Sequence, residues 1–249
     1  MSDSQLVGLA KDFFQNSLDS SPTSAIMRGH KKYFDQIEEL TEEQFQKEKD
    51  IVDTFIQRLN AIEKDNLTSR EKVTHGMLEF ALSSNKDSLL DRSWEFGAGV
   101  AGFTGFLIDY NQQMFVPDSE SADMMLKRLE LYKRLYTQIA DVQKVGLNNN
   151  RVATERNLLR TIDQLENYLA SSLDQDPLLL VNFSPEISDS EISEWKDKAK
   201  NIIEVNIRPT VSAYLDQLKT EHLPKGRGDD NCGIMWIDGG EESYLRSLR

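Results

Sequence analysis

Apolar positions recur along this chain in steps of three and four, the spacing that puts side chains on one face of an α-helix. Thr41 with Gln44 reads as a capping box, and the apolar residues after it fall at Val52, Phe55, Leu59 and Ile62. A second box, Thr68 with Glu71, opens a helix whose stripe is Val73, Met77, Phe80 and Ala81. Pro117-Asp118-Ser119 starts a long helix carrying Met125, Leu129, Tyr132, Tyr136 and Ile139, with Gly146 as its expected stop. Leu158, Ile162, Leu165 and Leu169 mark the next helix. Ser188 or Asp189 caps another, with Ile192, Trp195, Ala199 and Ile202 facing inward. The spacing resumes beyond Pro209 at Val211, Tyr214, Leu218 and His222, which predicts one long helix kinked at the proline. Leu223-Pro224 closes it.

Three stretches break the pattern: 20–24, 174–185 around Leu178-Leu179-Leu180-Val181, and the Gly, Lys and Asp-rich loop 225–231. The expected fold is all-α, a multi-helix array of long amphipathic helices. At most one short strand is expected near the C-terminus, around Asp174–Pro185 or Cys232–Trp236. The expected division is a helical domain over 1–224, then a loop and the start of a further, truncated-looking segment over 225–249.

Charge narrows the function classes. With 42 acidic against 29 basic residues the formal net charge is -13. Nucleic acid and anionic membrane surfaces both call for a basic face, so neither is an expected partner. The first residues, Met1-Ser2-Asp3-Ser4-Gln5, show no basic n-region and no apolar run, and no apolar window is long enough to span a bilayer. A cytoplasmic location is the expectation from these readings. The single cysteine, Cys232, has no internal disulfide partner.

Few residue constellations carry chemistry. Gly97-Ala98-Gly99-Val100-Ala101-Gly102 spells G-x-G-x-x-G, but no strand delivers it and no βαβ unit surrounds it, so nucleotide binding is not expected there. With Trp94, Phe96, Phe103 and Phe106 the segment reads as a buried link between helices. The histidines, His30, His75 and His222, lack the spacing of a zinc helix. They read as a surface or turn residue, a helix-face residue and a helix C-terminal residue. No G-x-S-x-G is present, and Cys232 follows an acidic loop that disfavours its thiolate.

The order of four segments resembles the N-terminal half of the bacterial family catalogued as domain of unknown function 885, whose members look like zinc metallopeptidases. The segments are Ala25-Ile26-Met27-Arg28-Gly29-His30-Lys31-Lys32-Tyr33-Phe34-Asp35 with Leu40-Thr41-Glu42-Glu43, then Leu67-Thr68-Ser69-Arg70-Glu71. The third is Arg208-Pro209-Thr210-Val211-Ser212-Ala213-Tyr214 running to Glu221-His222-Leu223-Pro224, and the fourth is Gly239-Gly240-Glu241-Glu242-Ser243-Tyr244. The family usually shows a Tyr before its Leu-Pro and two adjacent aromatics after its glycines. This chain has His222 at the first place and Tyr244-Leu245 at the second.

In the family a His-Glu-x-x-Pro-Gly-His-His type zinc helix lies C-terminal of the last segment, and no position here matches it. The resemblance therefore implies no catalytic or metal residue and no cofactor in this chain, with zinc implied for the complete protein. It implies Gly239, Gly240 and Tyr244 as substrate-side residues, glycine where backbone approaches a ligand and a phenol that can donate to a carbonyl. Read without the family, they are a turn followed by a core tyrosine.

Two functional readings follow. In one the chain is the substrate-covering helical part of a zinc-dependent peptidase, inactive alone, with a C-terminal catalytic half or a peptide as partner. In the other it is a stand-alone all-helical interaction module with no catalysis; a homo-oligomer is an expected partner state under either. Because Ile234-Met235-Trp236-Ile237 is an apolar run near the end, residues 234–244 are expected to need a cover: a missing half, the helical body or a second copy.

Overall fold

The computed structural model describes residues 3–97 and 110–248. Among these the chain forms helices α1 (Asp3–Asp19), α2 (Pro22–Met27), α3 (Glu42–Asn60), α4 (Ser69–Asp91), α5 (Ser119–Asn148), α6 (Glu155–Ala170), α7 (Asp189–Ile202), α8 (Arg208–Gln217) and α9 (Gly240–Ser247). The only sheet among the described residues pairs β1 (Phe115–Val116) in parallel with β2 (Asn182–Phe183), Phe115 opposite Asn182 and Val116 opposite Phe183. The strand expected within Asp174–Pro185 is β2. Residues Ile234–Trp236 form a 3-10 turn instead, and β1 had no signal in the apolar spacing.

Caps fix where helices begin. Thr68 and Glu71 complete a capping box at α4, and Ser188 with Glu191 completes one at α7. At α3 only half the box forms: the Gln44 amide donates to Thr41 Oγ1, while the Gln44 side chain turns to Glu48. Asp118 caps α5 by accepting from the Ser121 amide and also pairs with Lys31. Those two contacts, Lys31 first, hold its pKa down at about 2.

Two apolar clusters result. The larger surrounds α5, whose Met125, Leu129, Tyr132, Tyr136 and Ile139 are all buried, and draws in α2, α6, α7 and α8. The smaller joins α1, α3 and α4 through Leu6, Leu9, Val52, Phe55, Leu59, Leu78 and Leu82. The 3-10 turn Ser93–Phe96 lies against α5, and its Trp94 stacks on Phe45 of α3 at 3.9 Å between ring centres.

Two expectations are corrected. The α4 stripe Val73, Met77 and Phe80 faces solvent, and the helix buries His75, Leu78 and Leu82 instead. The helix is apolar on both faces, so spacing alone could not choose the inner one. Gly146 does not stop α5, which runs to Asn148; a Cβ at Gly146 would collide with the Glu95 backbone, so this glycine is where helix and turn cross.

Pro209 lies within a continuous helical run from α7 to α8, joined by a π turn over Ile203–Ile207 in which the Arg208 amide donates to the Ile203 carbonyl. A second π turn, Leu218–His222, precedes Pro224 in the same way. A proline lacks the amide that an α turn needs and its ring crowds the carbonyl four residues back, so a wider turn just before it relieves both defects.

Candidate functional site

The family-like residues Gly239, Gly240 and Tyr244 sit in a C-terminal segment strapped to the body by three arginines. Arg227 holds the loop entering it. Its Nε donates to the Val152 carbonyl at 2.7 Å and its Nη1 to the Asn231 and Gly233 carbonyls at 2.7 and 2.6 Å. Burial lowers the pKa of this guanidinium. Arg151 holds the turn itself. It donates to the Asp238 and Asp91 carbonyls, and its Nε lies 2.6 Å from Glu95 Oε2, in charge contact without hydrogen-bond alignment. Asn150, in the left-handed region at φ 54, adds a bond to the Asp238 carboxylate. Arg246 of α9 closes the set, its Nε 2.6 Å from Asp91 Oδ1 at the end of α4.

Glu95 is the hub. It is only 2% exposed, between Trp94 and Phe96, and also accepts from Arg92 Nε at 2.6 Å. Arg92 stands at φ 47 and reaches on to Glu42 of α3, a pair that raises the arginine's pKa and lowers the carboxylate's. One buried carboxylate thus ties the small cluster, α5 and the C-terminal segment together. Sequence reasoning missed it. The signal was a lone acid between two aromatics in a segment read as buried.

The glycines make the turn. Gly239 has φ 71, a backbone that favours glycine. Gly240 is buried, its amide donates to the Ile237 carbonyl at 2.9 Å, and a Cβ there would run into the Ile234 carbonyl. The close approach at Gly240 is therefore to Ile234. Ile237 is buried, while Met235, Trp236 and Tyr244 stay exposed, Tyr244 at 53%. The turn reading of the glycines holds in this geometry; the core-tyrosine reading does not. Gly240→Ala is expected to loosen this segment at a cost of about 1–3 kcal/mol, read as faster hydrogen exchange from Ile234 to Tyr244. Exchange unchanged from the parent would refute it.

The other candidates are scattered. His75 and His222 are buried, each with Nε2 unbonded, and His222 Nδ1 lies 3.4 Å from the Gln217 carbonyl. His30 heads the 3-10 turn Lys31–Tyr33 beside Phe14 and Tyr33. Cys232 is exposed. Among the described residues no three His, Cys, Asp or Glu side chains converge as a metal site. Gly97 ends the Ser93–Phe96 turn; the rest of the G-x-G-x-x-G stretch, with Phe103 and Phe106, lies outside the described residues.

The family described as "Bacterial protein of unknown function (DUF885)" matches residues 22–249. The chain belongs to the DUF885 family. This DUF885 chain also shares its fold with a crystal structure described as that of "the putative lipoprotein from Colwellia psychrerythraea", at TM-score 0.79 and 15% sequence identity. The match covers 100% of the DUF885 chain and 46% of the other, so the chain spans just under half the length of the solved structure it matches. No curated protein matches it. Among the described residues no helix of this DUF885 chain is long and apolar enough to cross a membrane.

Proposed function

We propose that this chain is the substrate-covering helical part of a peptidase-like hydrolase of the DUF885 family, with the hydrolytic centre supplied by residues outside it. The observation that carries the reading is the presentation of Tyr244. A turn that depends on glycine, clamped by Arg151, opens α9 and leaves the phenol in solvent. A hydroxyl held on a fixed backbone can donate to a developing oxyanion. Exposed Met235 and Trp236 on the same segment offer apolar surface to a peptide's side chains. The length of the matched crystal structure beyond the shared span leaves room in that protein for a second part.

The test expresses the complete reading frame that contains these residues, with Tyr244 intact and with Tyr244→Phe. Peptide hydrolysis is expected, and the substitution should lower kcat by roughly 100-fold at unchanged thermal stability. Unchanged turnover would reduce Tyr244 to a surface residue, and no hydrolysis by the whole frame would end the hydrolase reading. A cytoplasmic location belongs to the same reading. The word lipoprotein in the description of the matched structure points to the envelope, and cell fractionation decides between them. The second reading, an interaction module without catalysis, is favoured by the exposed apolar face of α4.

A further inference from the structure

Helix α4 carries a second stripe whose apolar members stay exposed among the described residues, with α9 flanking only its C-terminal end. It runs Arg70, Val73, Met77, Phe80, Ser84 and Asp87, alternate steps of three and four along one helical face. Val73, Met77 and Phe80 are 63%, 68% and 68% exposed, though each is large and apolar. Gly76 lies beside them in mid-helix, and a Cβ there would meet nothing within 4 Å. A mid-helix glycine costs about 1 kcal/mol against alanine, and no close contact among the described residues offsets it.

The charges at the two ends of the stripe are also unspent. Arg70 and Asp87 have no ion pair among the described residues, whereas nearby Glu79 and Lys86 are matched by Lys64 and Asp53. Three apolar side chains between an unpaired base and an unpaired acid form a self-complementary strip.

We propose that two copies of this chain associate through this face, α4 packing antiparallel on α4 of the second copy about a two-fold axis between Met77 and Phe80. Under such symmetry whatever one residue faces also faces it in return. Placing Met77 opposite Phe80 of the second copy fixes everything else. Arg70 lies seven residues before Met77 and Asp87 seven after Phe80, so Arg70 of each copy meets Asp87 of the other. The interface closes with one ion pair at each end and the apolar residues between. Gly76 falls opposite Ala81, two small residues where the backbones come close.

The surroundings of Asp87 fit an incoming guanidinium. Asp87 lines a cleft of about 360 Å3 between α4 and α9, with Ser83, Ser84 and Asp91. Arg246, the resident cation, is held by Asp91, which leaves the Asp87 carboxylate open. The inference stands apart from the hydrolase reading, since it uses neither Tyr244 nor any catalytic group.

Sedimentation velocity on the 249-residue chain, from low to several hundred micromolar, tests it. The parent is expected to shift from monomer to dimer across that range. Arg70→Glu and Asp87→Arg, each alone, put like charges at both ends and should weaken association at least 10-fold. Mixed in equal amounts the two variants should form a heterodimer, because every end then pairs opposite charges. The double variant Arg70→Glu/Asp87→Arg should dimerise again, and Phe80→Ser should not. Circular dichroism and thermal melts confirm that the variants fold. A parent that stays monomeric overturns the proposal and leaves the face to a different protein. A dimer indifferent to both single changes, or single variants that fail to recover on mixing, overturns it equally.

Discussion

Glu95→Ala is expected to lose about 3–5 kcal/mol of unfolding free energy, among the largest effects of any single change outside the apolar cores. The carboxylate is buried and faces two guanidiniums, Arg92 at 2.6 Å and Arg151 at 2.6 Å. Its removal leaves Arg151, only 11% exposed, as a charge with carbonyls for company but no counter-ion. Leaving one member of a buried pair behind costs more than the pair itself contributes, because desolvation is no longer offset. Urea denaturation followed by circular dichroism measures the loss, and a midpoint within error of the parent would refute it. The change should also reach the C-terminal segment, since the same Arg151 donates to the Asp238 carbonyl. Faster exchange at residues 234–244 should accompany the lower midpoint.

Asp176→Ala should cost a similar amount, about 3–5 kcal/mol, at a second buried ion pair. Asp176 is fully buried. Its Oδ2 takes Arg208 Nε and Nη2 at 3.2 and 3.1 Å, and its Oδ1 takes the Leu178 amide at 3.1 Å. Arg208 also donates to the Ser171 carbonyl and lies over the Tyr168 ring, whose hydroxyl is pushed up in pKa by burial first and the Asp176 charge second. The pair therefore joins α6, the turn Pro177–Leu179 and α8. A double variant, Asp176→Leu with Arg208→Met, should recover much of the loss, because replacing both charges removes the desolvation along with the attraction. A double variant as unstable as the single one would show that the Leu178 cap and not the ion pair carries the effect.

Most helices were legible because their apolar stripes are one-sided. Those of α3, α5, α6 and α7 to α8 face the cores as their spacing predicts. Helix α4 was legible as a helix but not in its orientation, since Val73-Met77-Phe80 and Leu78-Leu82 offer two apolar faces and burial against α3 selects the second. Gly146 misled for a related reason. A glycine at a helix end and a glycine at a crossing look alike in sequence, and only the position of Glu95 separates them. The straps were not legible at all. Arg151 and Glu95 are 56 residues apart and Arg246 and Asp91 are 155 apart, and no local spacing links such pairs. Gly239 and Gly240 were found through family resemblance, and their conformation explains why glycine stands there.

The π turn at Ile203–Ile207 has a consequence for chain length. Each residue of an α-helix turns the following side chains by about 100°. The wide turn absorbs one residue, and so the inward stripe that ends at Ile202 starts again at Ile203 without leaving the core. Drawn as a regular helix of the same length, the rod would point Tyr214 away from Gln143 and carry Arg208 off Asp176. The stretch is thus a phase adjuster, matched to Pro209 just beyond it. Gaining or losing one residue between Ile203 and Arg208 would unship half the large core, while the same change among the exposed residues 228–230 would leave that core in step.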